Sequence, residues 1–387
     1  MADWISGFVP ECKTYVEVFG GAYWVYVNSD IHERCEKAIY NDFNPYMTNL
    51  YRCASSPKTF SKFIDSKNIP LQEKGKPEMS QACYDYFYKC KESVFYNNVA
   101  AAADTKIKDI REELRTSPDL DIKPITCQIK KVREEIKTLK EELERDSEKT
   151  KKQKEEVQRP LKDKLNNLLK VKKDIKENRT KKNKELIDAR ASRQHEINEE
   201  RDVFGEKVED GAKDLMTAIE YAYVLTCSFS GIDPVDSEFQ DYKGKYGSKF
   251  KAFYNRLTSD KFIPKLKKID TCKNMSFEDV IKEYDSKKPY FYVDPPYWST
   301  ELYYSLHRFG KEQHEELQKC LHNMDGMFSL SYYDFSELSG MYPKNKFTWE
   351  TKEFVKPAGA KEGMEQSTGE EVLIMNPACI KALDKTE

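Results

Sequence analysis

The stretch TYVEVFGGAYW, residues 14–24, runs a series of strand-forming residues directly into two consecutive glycines. β-branched and aromatic residues in series predict a β-strand, and the glycines predict that it ends in a tight turn. Such a turn lets the backbone approach a bound ligand closely. Because further strand-like stretches alternate with helical sequence, we predict an α/β fold with a mostly parallel sheet. These stretches are KAIY (37–40), KPYFYV (288–293), MFSLSYY (327–333) and EEVLIM (370–375).

An acidic residue follows the second predicted strand. Asp42 lies 22 residues after Gly20, within YNDFN. In dinucleotide-binding folds, an acid at about this separation accepts hydrogen bonds from the ribose hydroxyls. Aspartate is also a favoured helix N-cap, so a structural role for Asp42 is the alternative. Together the turn and the acid favour a ligand that contains a nucleoside.

The stretch YFYVDPPYWS, residues 290–299, ends another predicted strand. Proline cannot donate to a sheet ladder, so the strand must stop at Asp294. A carboxylate, a carbonyl fixed by proline and an aromatic ring then follow within Asp294–Tyr297. The two oxygens suit the amino group of an adenine, whose nitrogen lone pair they localise, and the ring suits stacking on the base. A common Asp-Pro turn that only ends the strand is the alternative.

These two stretches are expected to meet. In an open α/β sheet, ligands bind beyond the carboxyl ends of the strands, where the strand order reverses. If YVEVF and YFYV are neighbours there, residues 20–22 and 294–297 lie side by side. The sequence therefore predicts a cofactor on the glycine turn and a planar substrate on the DPPY step.

Composition argues against several kinds of site. The chain has 387 residues and a net charge of −2, so contact with nucleic acid requires a local basic patch. Its ten cysteines contain no CxxC pair, and with the five histidines they show no zinc-site spacing, so we expect no metal. We see no signal peptide and no apolar span of about 18 residues, and we expect a cytoplasmic protein, of a bacterial or phage-infected cell, without membrane contact.

Residues 126–205 are almost entirely charged or aliphatic and predict long helices. Pro160 lies near their midpoint and is expected to open the second helix of a hairpin. A dimerising coiled coil is the alternative, and 24 basic against 18 acidic residues leave DNA contact open. Apolar residues recur at steps of three and four, as in a coiled coil. They are Ile129, Val132, Ile136, Leu139, Leu143, Leu161, Leu165, Leu168, Val171 and Ile175, with Leu186 and Ile197 as weaker members.

Seven stretches occur in the order found in one known family. They are YVEVFGG, YNDFNPYMTNLYR, LTCSFSG, SFEDVIKEYD, YVDPPY, SYYDF and EEVLIMN. In this order they resemble the Dam-type (D12-class) DNA adenine-N6 methyltransferases, most of all the phage-encoded branch. The resemblance covers about residues 1–60 and 215–376. DPPY is its most specific motif, because related enzymes that act on cytosine N4 or on protein glutamine tend to carry Ser or Asn in place of the Asp.

The resemblance implies a Rossmann-like methyltransferase sheet with helices on both faces, a helical target-recognition region and a long helical hairpin insert. It implies an enzyme that transfers methyl from S-adenosylmethionine to N6 of a flipped adenine in DNA. The residues that match the family's S-adenosylmethionine site are Glu17, Phe19, Gly20, Gly21, Ala22, Asp42 and Phe277, with Asp294 beside them. The residues that match the catalytic motif are Asp294, Pro295, Pro296 and Tyr297.

The resemblance also divides the chain. Residues 1–99 are expected to form the N-terminal part of the methyltransferase body, with the cofactor loop. Residues 100–285 are expected to form the target-recognition region, which contains the insert 126–205. Residues 286–387 are expected to complete the body with the DPPY motif.

The stretch LTCSFSG, residues 225–231, matches a segment near the family's target-recognition region. By this match, Ser228, Ser230 and Gly231 approach DNA. A basic segment follows, whose side chains are candidate phosphate contacts or, alternatively, ordinary solvated surface. Its candidates are Lys245, Lys249, Lys251 and Arg256.

The chain departs from the family pattern near its cofactor loop. A Gly-Gly-Lys segment usually precedes W-I-x-x-F-x-P and is not found before ADWISGFVP, and Val18 stands where Pro is common. Tyr23 and Trp24 stand where small residues are usual. These departures motivate a second hypothesis, a DNA-binding or assembly protein on an inactive methyltransferase body that binds partners through the insert. Adenine in RNA or single-stranded DNA is a further alternative substrate.

Overall fold

The computed structural model divides the chain into two compact units. Residues 1–97 and 200–387 form the first, and residues 98–199 form the second. The described chain leaves out residues 57, 59, 63–68, 96–100, 146–148, 210–212, 229–236, 299–308, 356–367 and 386–387.

The first unit is built on a seven-stranded sheet. Its strands are β1 (Cys12–Glu17), β2 (Cys35–Asn41), β3 (Ile269–Lys273), β4 (Tyr290–Val293), β5 (Met327–Tyr333), β6 (Thr348–Val355) and β7 (Thr368–Met375). Their order is β3-β2-β1-β4-β5-β7-β6. The first five strands run parallel, and β7 lies antiparallel between β5 and β6. The predicted α/β fold with a mostly parallel sheet is thus confirmed.

The sequence did not predict β3 and β6, which are the two edge strands of the sheet. Edge strands bury less of their surface, so their sequences mix polar and apolar residues and lack the apolar run of a central strand. β3 reads IDTCK and β6 reads TWETKEFV.

Helices connect and cover the strands. In chain order they are α1 (Ala2–Ser6), α2 (Trp24–Asn28), α3 (Ile31–Arg34), α4 (Pro45–Ala54), α5 (Ser80–Phe95), α6 (Ala101–Thr116), α7 (Lys123–Arg145), α8 (Lys151–Glu209), α9 (Leu215–Cys227), α10 (Lys249–Leu257), α11 (Ile263–Lys267), α12 (Phe277–Tyr284), α13 (Lys311–His322), α14 (Leu338–Met341) and α15 (Pro377–Leu383). Short 3₁₀ turns lie at Pro77–Met79 and Pro118–Leu120. No helix in the described part of the chain has the length and apolarity needed to span a membrane.

Strands β1 and β4 are neighbours, as the sequence predicted. Glu17 lies opposite Tyr292, and the amide of Val18 donates to the carbonyl of Tyr292 at 3.0 Å. The strand order reverses at this pair, since β2 and β3 lie on one side and β5 on the other. The glycine turn after β1 and the DPPY step after β4 therefore leave the sheet at the same edge.

The central strands are buried on both faces. Val16, Phe291 and Val293 belong to an apolar cluster on one face, and each is fully buried. Burial of a side chain of this size contributes roughly 1.5–3 kcal/mol. Alternate residues are tyrosines, which must find hydrogen-bond partners when buried. Tyr15 donates to Glu17 at 2.6 Å, and Tyr290 bonds to Ser329.

The second unit consists of helices and corrects the prediction for Pro160. That residue lies inside α8, which begins at Lys151, whereas α7 ends at Arg145. The reason is a capping box: Thr150 and Gln153 exchange hydrogen bonds, with Gln153 Oε1 accepting from the Thr150 amide at 2.9 Å. The helix therefore starts nine residues earlier than the proline rule predicted.

Apolar residues mark the seam of this helical unit. Ile129, Val132, Ile136 and Leu143 of α7 are buried, and Leu161, Leu165, Leu168 and Ile175 of α8 are half-buried. One predicted member is wrong, because Val171 is 44% exposed and Lys172 takes the half-buried position beside it. A separate apolar cluster in this unit joins Ile107 and Ile110 of α6 to Ala189 of α8.

Candidate active site at the carboxyl edge of the sheet

The glycine turn after β1 is built by close backbone contacts. The amide of Gly20 donates to the carbonyl of Asn41 at 2.7 Å, and the amide of Tyr23 donates to the carbonyl of Gly20 at 2.7 Å. A Cβ at position 20 would lie 2.3 Å from the ring of Tyr40, so only glycine fits there. Gly21 has a φ of +45° and open space where a side chain would project.

Asp42 lies directly beneath this turn. Its carboxylate accepts from the amide of Gly21 at 2.6 Å and from the amide of Asn44 at 2.7 Å. The N-cap of α4 is Asn44, so the N-cap alternative for Asp42 is wrong. Burial raises the pKa of Asp42 to about 6, against the lowering effect of these two hydrogen bonds. A carboxylate has about four acceptor sites, which leaves capacity for a ligand hydroxyl.

Three phenylalanines pack together beside the turn. Phe19 lies 5.7 Å from Phe277 and 5.5 Å from Phe309, between ring centroids. Phe277 is the first residue of α12, which Ser276 caps by accepting from the amide of Asp279 at 3.1 Å. The cap fixes the start of α12 at Phe277, which the family resemblance assigned to the S-adenosylmethionine site.

Glu17 ends β1 as a buried acid, with 2% of its surface exposed. Burial raises its pKa well above the usual range of a glutamate, and the charges on Asp294 and Asp42 raise it further. The hydrogen bond from Tyr15 acts in the opposite direction. The structure thus brings two predicted site acids, Asp42 after β2 and Asp294 after β4, within electrostatic reach of Glu17 at the end of β1.

Tyr23 and Trp24 differ in where their side chains lie. Tyr23 adopts a left-handed backbone conformation, with φ of 55°, and its ring is fully buried against Tyr26 at 4.4 Å and Tyr40 at 5.1 Å. Trp24 is 52% exposed. The bulk of Tyr23 therefore fills a cluster of tyrosines in the core.

The DPPY step follows β4 and forms a polar cluster with β5. Strand β4 ends at Val293, and Asp294 accepts from the hydroxyl of Ser331 at 2.8 Å. Burial raises the pKa of Asp294, and the hydrogen bonds from Ser331 and Tyr297 oppose this shift. The hydroxyl of Ser331 therefore stabilises Asp294 as a hydrogen-bond acceptor.

The sequence assigned no role to Ser331 or Glu371, which complete this cluster. The hydroxyl of Tyr297 donates to Glu371 Oε1 at 2.5 Å and lies 3.3 Å from Ser331 Oγ. Burial raises the pKa of Glu371 to about 7. The signal for Glu371 was an acid at an inward position of a central, apolar strand, in TGEEVLIM.

The residues predicted to contact DNA lie in segments of the first unit other than the glycine turn and the DPPY step. Ser228 is 2% exposed and donates to the carbonyl of Leu225, whereas Ser230 and Gly231 lie outside the described residues. Lys245 lies over the ring of Tyr246, and Lys249 lies over Tyr242. The guanidinium of Arg256 lies between Trp24 and Phe262, and Lys251 is an exposed residue in the first turn of α10.

The comparisons point to one family. The model of the D12 class N6 adenine-specific DNA methyltransferase family matches residues 1–191 and 147–355. These ranges include the glycine turn, the helical unit and the DPPY step. A search of curated proteins finds no match to this chain. Among the described residues, no three His, Cys, Asp or Glu side chains converge as a metal site would require.

Proposed function

Because the chain belongs to the D12 class of N6 adenine-specific DNA methyltransferases, we propose that it methylates N6 of an adenine that is flipped out of DNA, with S-adenosylmethionine as methyl donor. One observation carries the proposal. The glycine turn after β1 and the DPPY step after β4 leave the sheet at one edge, where the strand order reverses.

The chemistry of the site suits S-adenosylmethionine, which supplies a methyl group activated by a sulfonium cation. Glu17 lies within electrostatic reach of Asp42 and Asp294, and a bound cation would stabilise the ionised forms of these carboxyl groups. Asp42 has acceptor capacity for ribose hydroxyls, and the open space over Gly21 and the face of Phe277 suit the remainder of a nucleoside. Phe19, Gly20 and Ala22 complete this proposed site.

The DPPY step is proposed to bind the adenine. Asp294 and the carbonyl of Pro295 accept hydrogen bonds from the N6 amino group, which makes the nitrogen a better nucleophile. Pro295 and Pro296 restrict the backbone, so the carbonyl direction is fixed. The ring of Tyr297 stacks on the base. The main catalytic effect is positioning, because alignment of the reacting atoms alone supplies up to about 7–11 kcal/mol of the barrier.

DNA contacts are proposed to offset the cost of base flipping, which is a few kcal/mol. The candidates are the basic residues of 245–256, together with Ser230 and Gly231. Ser228 was predicted as a contact but is buried, so it is not among them. The proposed regions remain 1–99, 100–285 and 286–387, with 126–205 as the insert.

The test is transfer of tritiated methyl from S-adenosylmethionine to mixed-sequence DNA, followed by nucleoside analysis. We expect label in N6-methyladenine, and Asp294→Ala should abolish it. Asp325→Ala is a matched control, because Asp325 is an exposed acid in the turn before β5. An active Asp294→Ala enzyme would refute the catalytic assignment, and an inactive but folded wild type that binds DNA would refute the activity.

A second candidate is a DNA-binding or assembly protein with an inactive methyltransferase body. The separate helical unit at 98–199 favours it, since such an arm suits a second copy or a protein partner. Calorimetry with S-adenosylmethionine distinguishes the two: clear binding supports the enzyme, and no binding supports the assembly protein. Analysis of methylated products in single-stranded DNA and RNA tests the alternative substrates.

A further inference from the structure

The hydroxyl of Tyr297 is held by a second carboxylate, that of Glu371 on β7. The distance of 2.5 Å from the hydroxyl to Oε1 is that of a strong O–H···O⁻ hydrogen bond. The same hydroxyl lies 3.3 Å from Ser331, which donates to Asp294 at 2.8 Å. Glu371 therefore binds the last residue of the DPPY step, and Ser331 binds the first.

An acid at position 371 is costly for stability. Residues 372–375 of the same strand are buried and apolar, and Glu371 itself is only 8% exposed. Burial of a carboxylate costs free energy that hydrogen bonds only partly recover, so an apolar residue would suit this position better. The hydrogen bond that Glu371 makes to Tyr297 gives a functional reason for its presence.

The ring of Tyr297 is held from a second direction by Tyr333. The two rings pack edge to face, with centroids 4.4 Å apart and planes at 81°. Tyr333 is also the cross-strand partner of Glu371 in the β5–β7 ladder. Strand pairing thus sets both contacts of Tyr297 at once, one on its ring and one on its hydroxyl.

We propose that Glu371 is a positioning residue that holds the Tyr297 ring in the orientation in which it stacks on the flipped adenine. The inference rests on the proposed function. Glu371 acts through Tyr297 and does not itself touch the base. A displacement of about 1 Å in a group that positions the substrate lowers a rate by about 10²-fold, which is the size of effect that Glu371 is expected to have.

The protonation of Glu371 should make this contact depend on pH. Its pKa of about 7 means that the carboxylate is charged above neutral pH, where its bond to Tyr297 is strongest. Burial raises this pKa most, and the charge on Asp294 raises it further, whereas the bond from Tyr297 and the amino group of Met1 lower it. The titratable and charged groups that face Glu371 within the described chain are Asp294, Tyr297, Tyr292, Tyr333, Lys352 and the amino group of Met1.

The experiment compares single-turnover methyl transfer and DNA affinity in a set of variants. Glu371→Ala should lower the transfer rate about 10- to 100-fold and leave the dissociation constant for DNA unchanged. Glu371→Gln should give the rate of the protonated wild type, between those of wild type and Glu371→Ala, because its amide oxygen still accepts from Tyr297 but carries no charge. Glu370→Ala is the matched control, an exposed neighbour in the same strand, and should behave as wild type.

Two further readouts separate positioning from a general structural role. Tyr297→Phe should match Glu371→Ala, and the double variant should be no slower than either, because both remove the same hydrogen bond. The wild-type rate should fall as the pH drops below about 7. In Glu371→Gln the part of that fall that comes from Glu371 should be absent.

Additive effects of Glu371→Ala and Tyr297→Phe would overturn the inference, as would a Glu371→Ala enzyme that is indistinguishable from Glu370→Ala. If Glu371→Ala fails to fold, Glu371→Gln still decides: an unchanged pH profile overturns the proposal. If the wild-type protein transfers no methyl group, the proposed function itself is refuted, and with it the role of Glu371 in that reaction.

Discussion

Among single residues, Gly20 shows most directly how the site depends on close packing. Its amide bonds to the carbonyl of Asn41, and the ring of Tyr40 occupies the space where a side chain would begin. The turn therefore holds β1 against β2 at the point where both end. Asp42 then reaches the next amide of the turn, that of Gly21.

Gly20→Ala should destabilise the protein by about 1–3 kcal/mol, because the added methyl group overlaps the Tyr40 ring. The free energy of unfolding from urea denaturation measures this. Gly247→Ala is the control, since a Cβ there meets no atom within 4 Å and its φ lies outside the left-handed region. Equal stability of the two variants would contradict the close packing.

Glu371 predicts a pH dependence of stability. Its folded pKa of about 7 exceeds its usual 4.5, so the folded state binds the proton more tightly. The contribution of the Glu371 carboxyl to the free energy of unfolding is fully present below about pH 4.5, and it is lost as the pH rises through 7. Glu371→Gln should therefore gain stability relative to wild type between pH 5 and 8, by roughly 3 kcal/mol at most. Urea denaturation of wild type and Glu371→Gln at pH 5 and at pH 8 checks this. A difference in unfolding free energy that is the same at the two pH values would contradict it.

Among secondary-structure elements, α8 shows how a capping motif outweighs a proline. The proline rule places Pro160 at a helix start, where its missing amide costs nothing. The capping box at Thr150 and Gln153 starts the helix earlier, so Pro160 interrupts a helix interior. An interior proline removes one hydrogen bond and crowds the preceding turn.

Pro160→Ala should therefore stabilise this helix by up to about 3 kcal/mol. Amide hydrogen exchange over residues 155–165 is the measurement, and protection should increase. Lys164→Ala, at an exposed position one turn later, is expected to change it little. Lower protection in Pro160→Ala would mean that the helix does begin at the proline.

For the whole molecule, the division into two units separates the proposed chemistry from the insert. Every described residue proposed for the cofactor, for the base and for DNA lies within 1–97 or 200–387. The helical unit is therefore expected to affect binding of DNA, of a partner or of a second copy, and to leave methyl transfer itself unchanged.

A shortened hairpin tests this expectation. Arg179 donates to the carbonyl of Leu120 at 3.2 Å, so residues 123–177 can be replaced by a linker of about six Gly and Ser residues. The single-turnover rate at saturating DNA should stay within about twofold, as expected for independent sites. A large loss of rate in a folded variant would contradict it. Solution mass and the salt dependence of DNA affinity then report whether the hairpin dimerises or neutralises phosphates.

The sequence by itself determined the features that depend on local backbone chemistry. Prolines must end β4 after Val293, and two glycines permit the turn after β1, whatever the rest of the chain does. Alternation of strand-like and helical stretches was sufficient for the α/β fold, because buried parallel strands leave apolar runs in the sequence.

Only the tertiary structure decided which distant groups meet. Glu371 reaches Tyr297 because β7 inserts next to β5 in antiparallel orientation, and Asp42 bonds to the glycine turn because β2 lies beside β1. Residues 74 positions apart form that first hydrogen bond. Such contacts depend on strand order and register, and neither has a local signature in the sequence.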